Sequence, residues 1–418
     1  CDELEIFGCT DPEALNYDPE ATEDDGLCEY STTVNYGIDL HYGANLISFY
    51  ALPEDVSVAN VLSSLGVNVT GIIGEGVASS QLSPGFWVGS LAEISPTSGY
   101  WLKLEGDGTL QLTDATPSDG VTLVYDLHSG ANLISYPYPV ESQPLTDGIP
   151  NDVEGEFTGI IGEGVASSQL SPGFWVGSLA GFSGTKGYWA KLTNDVSFSF
   201  RDPDLGPEDP GRVMQSEAFL NESPYAYTQS MEQSFYFVED IPQASFGDWV
   251  LAYNNNELVG AREWNGMYTD IPVMGDDGSD ETSGFCNTDD IPTFYLVKEY
   301  TGEHIELTGS ISSWESNGMF MVGSLTEVVV PDAVTLSSAY PNPFNPETTL
   351  DYSIESSGLV DLSIYDVNGR MVTTLFSGEL SSGSYTASWD ASVQPSGLYI
   401  AKLTSGNIVQ TTKLVLLK

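Results

Sequence analysis

The sequence predicts an all-β, multi-domain protein. Short alternating or apolar runs, such as ANLISFY, VTGII, FWVGSL, GYWLKLE and TLQLT, are separated by Gly, Pro, Ser and Asp, which is the pattern of strands joined by turns. Helical periodicity is nearly absent, the one candidate being 56–65 (VSVANVLSSL). At 418 residues the chain exceeds one ordinary domain, and a duplication divides it. The segment TGIIGEGVASSQLSPGFWVGSLA occupies Thr70 to Ala92 and recurs letter for letter from Thr158 to Ala180.

Residues 1–32 form the first element. Cys9 and Cys28 bracket a short acidic loop, which in an exported protein reads as a disulfide clasp. Asp11, Asn16, Asp18, Asp24 and Asp25 crowd into that loop. Hard oxygen ligands in a clasped loop suit Ca²⁺, whose binding would offset the repulsion between carboxylates. Cys1 and Cys286 are left to pair across the chain, or Cys1 is the acylated cysteine of a lipoprotein. A mature, processed chain accounts for the lack of a signal peptide.

The repeat is larger than its identical core. GANLIS recurs at Gly43–Ser48 and Gly130–Ser135, each after Asp-Leu-His, and GYW-x-KL recurs at Gly99–Leu104 and Gly187–Leu192. Two tandem β-rich modules follow, at 33–114 and 115–201; a period this long is a duplicated domain rather than a solenoid unit. Residues 202–212, rich in Pro, Asp and Gly, read as a linker. A third β-rich module spans 213–330, and its Gly-rich loop carries Asp276, Asp277, Asp280, Glu281, Asp289 and Asp290 beside Cys286, a second candidate calcium loop. In the last module, 331–418, Asn368-Gly369 between two alternating runs predicts a type I′ hairpin. About seven strands there argue an immunoglobulin-like sandwich.

Composition excludes several functions. Against 60 Asp and Glu stand only 11 Lys and Arg, a net charge of −49, so binding to nucleic acid or anionic lipid is disfavoured. Residues 331–418 hold 8 acidic and 4 basic side chains, which leaves −45 on the first 330 residues. Hydrophobic content of 41% and aromatic content of 11% supply cores and argue against disorder. No apolar run approaches the roughly 18–20 residues that span a bilayer.

Catalytic patterns fail one by one. The only histidines are His41, His128 and His304, and the first two are repeat equivalents, best read as turn residues. GIIGEG is neither a dinucleotide fingerprint nor a phosphate loop: no lysine follows it, and its glutamate opposes an anion. Glu75 and Glu163 tempt a glycosidase reading, but a Gly-Glu-Gly turn holds its carboxylate in solvent or against turn amides. Aromatic pairs recur in register at Phe86-Trp87, Tyr100-Trp101, Phe174-Trp175 and Tyr188-Trp189. Adjacent strand residues face opposite ways, so one ring of each pair is core. Trp87, Trp101, Trp175 and Trp189 are the candidates for stacking on glycans or against a module or subunit.

Resemblance adds a delivery route. SAYPNPFNPETTLDYSI, VDLSIYDVNGRMVTTLFSGELSSGSYTASWD and SGLYIAKLTSGNIVQTTKLVLLK together resemble the C-terminal sorting domain of type IX secretion cargo, itself similar to the immunoglobulin-like domain of the flagellar hook-capping family. GCTDPEALNYDPEATEDDGLCEY resembles a cysteine-bracketed repeat of surface proteins in the same bacteria, and the middle modules look similar to domains of such proteins. The resemblance implies a Gram-negative bacterium, contact with the type IX secretion machinery through the last domain, and an extracellular or outer-surface location. The function expected is therefore a non-enzymatic surface structural protein, a subunit of a filament or surface layer whose partners are further copies or other surface proteins. A glycan-binding adhesin is the first alternative, and a non-catalytic module of a secreted polysaccharide hydrolase the second.

Overall fold

In each tandem module the GANLIS and GYW-x-KL motifs pair with one another. Gly43–Ile47 runs antiparallel to Tyr100–Leu104, which sets Leu46 opposite Trp101. Gly130–Ile134 runs antiparallel to Tyr188–Leu192, which sets Leu133 opposite Trp189. The duplicated segment supplies nearly all of three further strands: Val69–Gly74, Val77–Ser83 and Phe86–Gly89 in the first copy, Phe157–Ile161, Ala166–Ser171 and Phe174–Gly177 in the second. Both five-stranded sheets share one order, with the GANLIS strand at one edge and the FWVG strand at the other. The Gly-Glu-Gly turns need their second glycine, since Gly76 and Gly164 lie at φ of +68° and +64°.

These strands belong to a computed structural model that describes residues 6–12, 14, 16–28, 32–206, 223–328, 331 and 333–418. The chain divides into two compact units, Cys1–Glu327 and Val328–Lys418. Within the first unit each tandem module adds a smaller sheet, Val34–Leu40, Gly108–Pro117 and Ala51–Leu52 in one, Tyr125–Leu127 with Val196–Phe198 in the other. Between the layers lie Phe49, Ile72, Tyr100 and Leu102 in the first module, and Tyr136, Phe157, Trp175 and Phe182 in the second. The third module faces Gln233–Asp240, Thr269–Met274 and Met319–Ser324 against a five-stranded sheet that includes Trp249–Asn254 and Thr293–Val297.

One local expectation in this unit needs correction. The predicted helix over 56–65 is one α-turn, Val58–Val61, followed by a 3₁₀ turn, Ser63–Leu65, with Ser57 as its cap. The second module has two single-turn helices in that place, Leu145–Gly148 and Asn151–Glu154, each following a proline; one turn is too short to leave a helical period in sequence. The three modules share this one compact unit. Buried residues join them: Ala44, Leu46, Trp101 and Leu133 cluster with Trp189 and Met231, and Ile161, Ala166 and Val176 cluster with Phe235 and Phe237.

The second unit is a seven-stranded sandwich, one sheet of Thr335–Leu336, Glu347–Ile354 and Gly383–Asp390, the other of Met371–Leu380, Gly358–Asp366, Gly397–Ser405 and Ile408–Leu416. Leu350, Ile364, Trp389 and Leu414 fill its core. The hairpin at Asn368-Gly369 is not type I′, which needs positive φ at two central residues. Gly369 alone is left-handed, at φ +76°. Asp366 N–H donates to the Arg370 carbonyl and Gly369 N–H to the Asp366 carbonyl, so the turn is a three-residue loop closed by glycine. The two ends of the YPNPFNP…KLVLLK signature are hydrogen-bonded together. The Asn342 side chain donates to the Lys413 carbonyl at 2.7 Å and accepts from Val415 N–H at 2.8 Å, while Phe344 N–H donates to the Val415 carbonyl. Among the described residues no helix is long and apolar enough to cross a membrane.

Candidate interaction site at the module seams

The two copies of the Gly-Glu-Gly turn do not leave their carboxylates to solvent alone. Each reaches into the other module. Glu163 accepts from the His41 ring Nε2 at 2.6 Å and from Leu46 N–H at 2.7 Å. Glu75 accepts from His128 Nε2 at 2.7 Å and from Leu133 N–H at 2.8 Å. The duplicated His and Glu thus form two reciprocal clamps, related as the two halves of an isologous dimer interface are, but within one chain. Each histidine also directs Nδ1 at a carbonyl, that of Tyr42 or of Ser129. With acceptors at both ring nitrogens, the doubly protonated ring is the form that satisfies both contacts. The hydrogen bond to Glu163 raises the pKa of His41 although burial opposes it. For His128 the Ser129 carbonyl and then Glu75 raise it.

Backbone and apolar contacts complete this seam. Gly99 N–H donates to the Leu133 carbonyl and Gly187 N–H to the Leu46 carbonyl. A Cβ on Gly99 would meet the Ile134 carbonyl oxygen at 2.7 Å, and one on Gly187 would meet that of Ile47 at 2.6 Å. The glycine of GYW is therefore required by close backbone approach. Trp101 is buried and Trp189 half-buried among residues of both modules. Neither indole N–H finds a protein acceptor, so apolar contact is what these rings contribute.

The third module seals the second copy with a buried polar cluster. Asp270 accepts from Ser178 Oγ at 2.6 Å and from Ala166 N–H at 3.3 Å. Arg262 donates to the Gly164 carbonyl at 2.7 Å and pairs with Asp270 at 3.3 Å. Burial pushes the Asp270 carboxyl up, against the pull of Arg262 and its donors. The scarce cations gather at these seams. Lys191 donates to the Asn317 carbonyl at 2.7 Å, and Lys103 pairs with Asp277 at 3.3 Å.

The tryptophans are therefore redistributed. Trp87 and Trp175 are the inward rings of their strands, against the first and second cores, and Trp175 donates to Glu154 at 2.9 Å. The outward ring of each pair is Phe86 or Phe174. Of the eight tryptophans five are buried, and Trp87, Trp189 and Trp249 are half-buried. Register explains the miss: Trp87 stands opposite Gln81, whose amide is turned inward onto the Gly66 and Val69 carbonyls.

The acidic loops are engaged by their own backbone and, in the third module, by side chains of the first module. Cys9 and Cys28 form a disulfide. In the loop they clasp, Asp18, Asp24 and Asp25 each accept from a backbone N–H two residues on, Asn16 donates to the Leu27 carbonyl, and the Asp11 carbonyl accepts from Ala14 N–H. In the third module Asp276 accepts from Gly278 N–H, Asp290 from Asn287 N–H, and Glu281 from the Tyr42 hydroxyl of the first module at 2.7 Å. Asp280 opens a 3₁₀ turn, and Asp289 adopts φ +76°. Burial would raise Asp277, but hydrogen bonds from Ser279 and the charge of Lys103 hold it below the usual carboxylate range. Among the described residues no three His, Cys, Asp or Glu side chains converge as a metal ion requires. Cys286 is a buried thiol whose pKa burial pushes up to about 12; Cys1, its suggested partner, lies outside the described residues. His304 is the exposed first residue of the strand His304–Thr308.

Two recesses open at the seams. One, of about 180 Å³, lies between Tyr42, Lys103, Asp277 and Glu281, and one of about 200 Å³ between Tyr227, Trp249, Arg262 and Glu263. Both fall below the roughly 300–1,000 Å³ of ligand pockets.

Comparison with known proteins bears on the second unit. Residues 338–417 match the secretion system C-terminal sorting domain. No curated protein matches the chain. The crystal structure of dimeric latent PorU from Porphyromonas gingivalis aligns with 93% of this chain at 10% identity and a TM-score of 0.17, and this chain covers 30% of that one; at that level it carries no argument.

Proposed function

We propose that this chain, whose residues 338–417 match a secretion system C-terminal sorting domain, is type IX secretion cargo of a Gram-negative bacterium and acts at the cell surface or outside the cell as a non-catalytic structural subunit assembling through β-module contacts. The observation that carries this reading is the use of His41, His128, Glu75 and Glu163. The residue types that would serve acid–base chemistry are committed in matched pairs to joining two modules. Three of the seven cations before the sorting domain, Lys103, Lys191 and Arg262, also lie at seams. Fused modules make a stiff acidic unit, and such a unit suits load and spacing better than turnover. Electron microscopy of the purified protein in high salt should reveal regular fibres or arrays with a repeating rise. Dispersed single particles across all salt and protein concentrations would argue against the reading.

A further inference from the structure

The duplicated segment offers an internal comparison of one surface with and without a cover. In the second copy the outward face of the FWVG strand is sealed: Ala166 is fully buried, Val176 is 1% exposed, and Phe174 packs with them under Phe235, Phe237, Tyr268 and Met319. A Cβ on Gly177 would lie 2.8 Å from the Phe237 ring, whereas one on Gly89 would meet only its own neighbouring strand. In the first copy the same residues stand open. Phe86 is 57% and Val88 51% exposed, and Val77, Ala78 and Leu82 beside them are exposed as well. Around the segment the copies have diverged, FYALPEDVSVANVLSSLGVNV in one and YPYPVESQPLTDGIPNDVEGEF in the other, yet the open apolar residues remain identical.

We propose that this open face, centred on Phe86 and Val88, docks a second copy of this chain by twofold pairing of like faces. Two observations select that occupant. The aromatic face that covers the second copy is fully used within each chain, Phe235 and Phe237 being completely buried. An incoming copy therefore presents its own Phe86 face, and a self-complementary contact closes at two subunits. The surface also suits an acidic partner. On a chain of net −49, the segment Thr70–Ala92 holds one charged residue, Glu75, and that carboxylate is engaged by His128. Here two copies can approach without bringing carboxylates together. The proposal rests on the structural-subunit reading and names one of its contacts.

The test is the mass of the intact chain by sedimentation velocity over a concentration series. Wild type should double in mass with rising concentration. The pairing should tighten from about 0.1 M to about 1 M salt, where the Debye length falls from about 10 Å to about 3 Å. Val88→Asp should weaken pairing at least tenfold while leaving the melting temperature of the dilute protein unchanged, and Phe86→Lys repeats the test at a second position. A single monomer mass throughout, or undiminished pairing by both folded variants, overturns the proposal and leaves the face an inheritance of the duplication. Fibres that persist in Val88→Asp would sink this contact but not the structural reading. Dimers without any fibres would sink that reading but not the contact.

Discussion

The same twenty-three residues, Thr70–Ala92 and Thr158–Ala180, fold into the same three strands and end in different surroundings. Where the copies meet each other they behave alike. Glu75 and Glu163 each hold a histidine and a backbone N–H of the opposite module. Where the third module arrives they part: Gly164, Ala166 and Ser178 are bonded to Arg262 and Asp270, while Ala78 bonds to Ser90 and Leu91 of its own copy. Local sequence fixes strand, turn and register, and the neighbour fixes burial. Breaking the third-module contact should therefore affect one copy alone, whereas breaking the clamps should affect both.

The largest expected effect is at the contact only the second copy has. Arg262→Ala would strip the partner from Asp270, a carboxylate with 4% of its side chain exposed. Loss of one member of a buried ion pair costs about 3–5 kcal/mol. Urea unfolding of the first unit should register it, and a loss below about 1 kcal/mol, the range of exposed pairs, would mean the seam is held by apolar packing instead.

A smaller effect sharpens the comparison itself. Val176→Ala and Val88→Ala are the same substitution at equivalent positions, 1% and 51% exposed. Removing two buried methyl groups costs roughly 2 kcal/mol once the cavity is included, while an exposed site changes stability by about 0.5 kcal/mol or less. Equal losses in dilute solution would show that the first copy's face is covered too.

The fold class was legible because turn residues punctuate the apolar runs at strand length, and the last domain because its two end motifs are specific. The seam was not. A Gly-Glu-Gly turn looks local, and nothing in one copy reveals that its carboxylate answers a histidine 53 or 122 residues away. A signal did exist: the histidine before GANLIS and the glutamate of GIIGEG recur in register, one of each per module. Alternation alone leaves open which ring of FWVG is core, and the register with Gln81 turns Trp87 inward. The acidic loop of the third module was read for its charge, while Asp277 and Glu281 reach Lys103 and Tyr42 of the first module, contacts set by tertiary placement.

The smallest expected effect is titration of the clamps. The pKa of both His41 and His128 is raised in the fold, so each stabilises fully below its unfolded pKa of about 6.5. That contribution is lost as pH rises through the folded value. Lys186 opposes protonation of His41, and Asp195 favours that of His128. Melting temperature in high salt, which screens the general acidic repulsion, should therefore fall as pH rises above the unfolded value of about 6.5. Glu163→Gln and Glu75→Gln should each flatten part of that fall. The Glu163 side chain is 16% exposed and Glu75 39%, so solvent screens the second clamp more and Glu163→Gln should flatten the profile further. A profile as steep in the double variant as in wild type would remove the histidines from the account and leave the seam to Leu46, Trp101, Leu133 and Trp189.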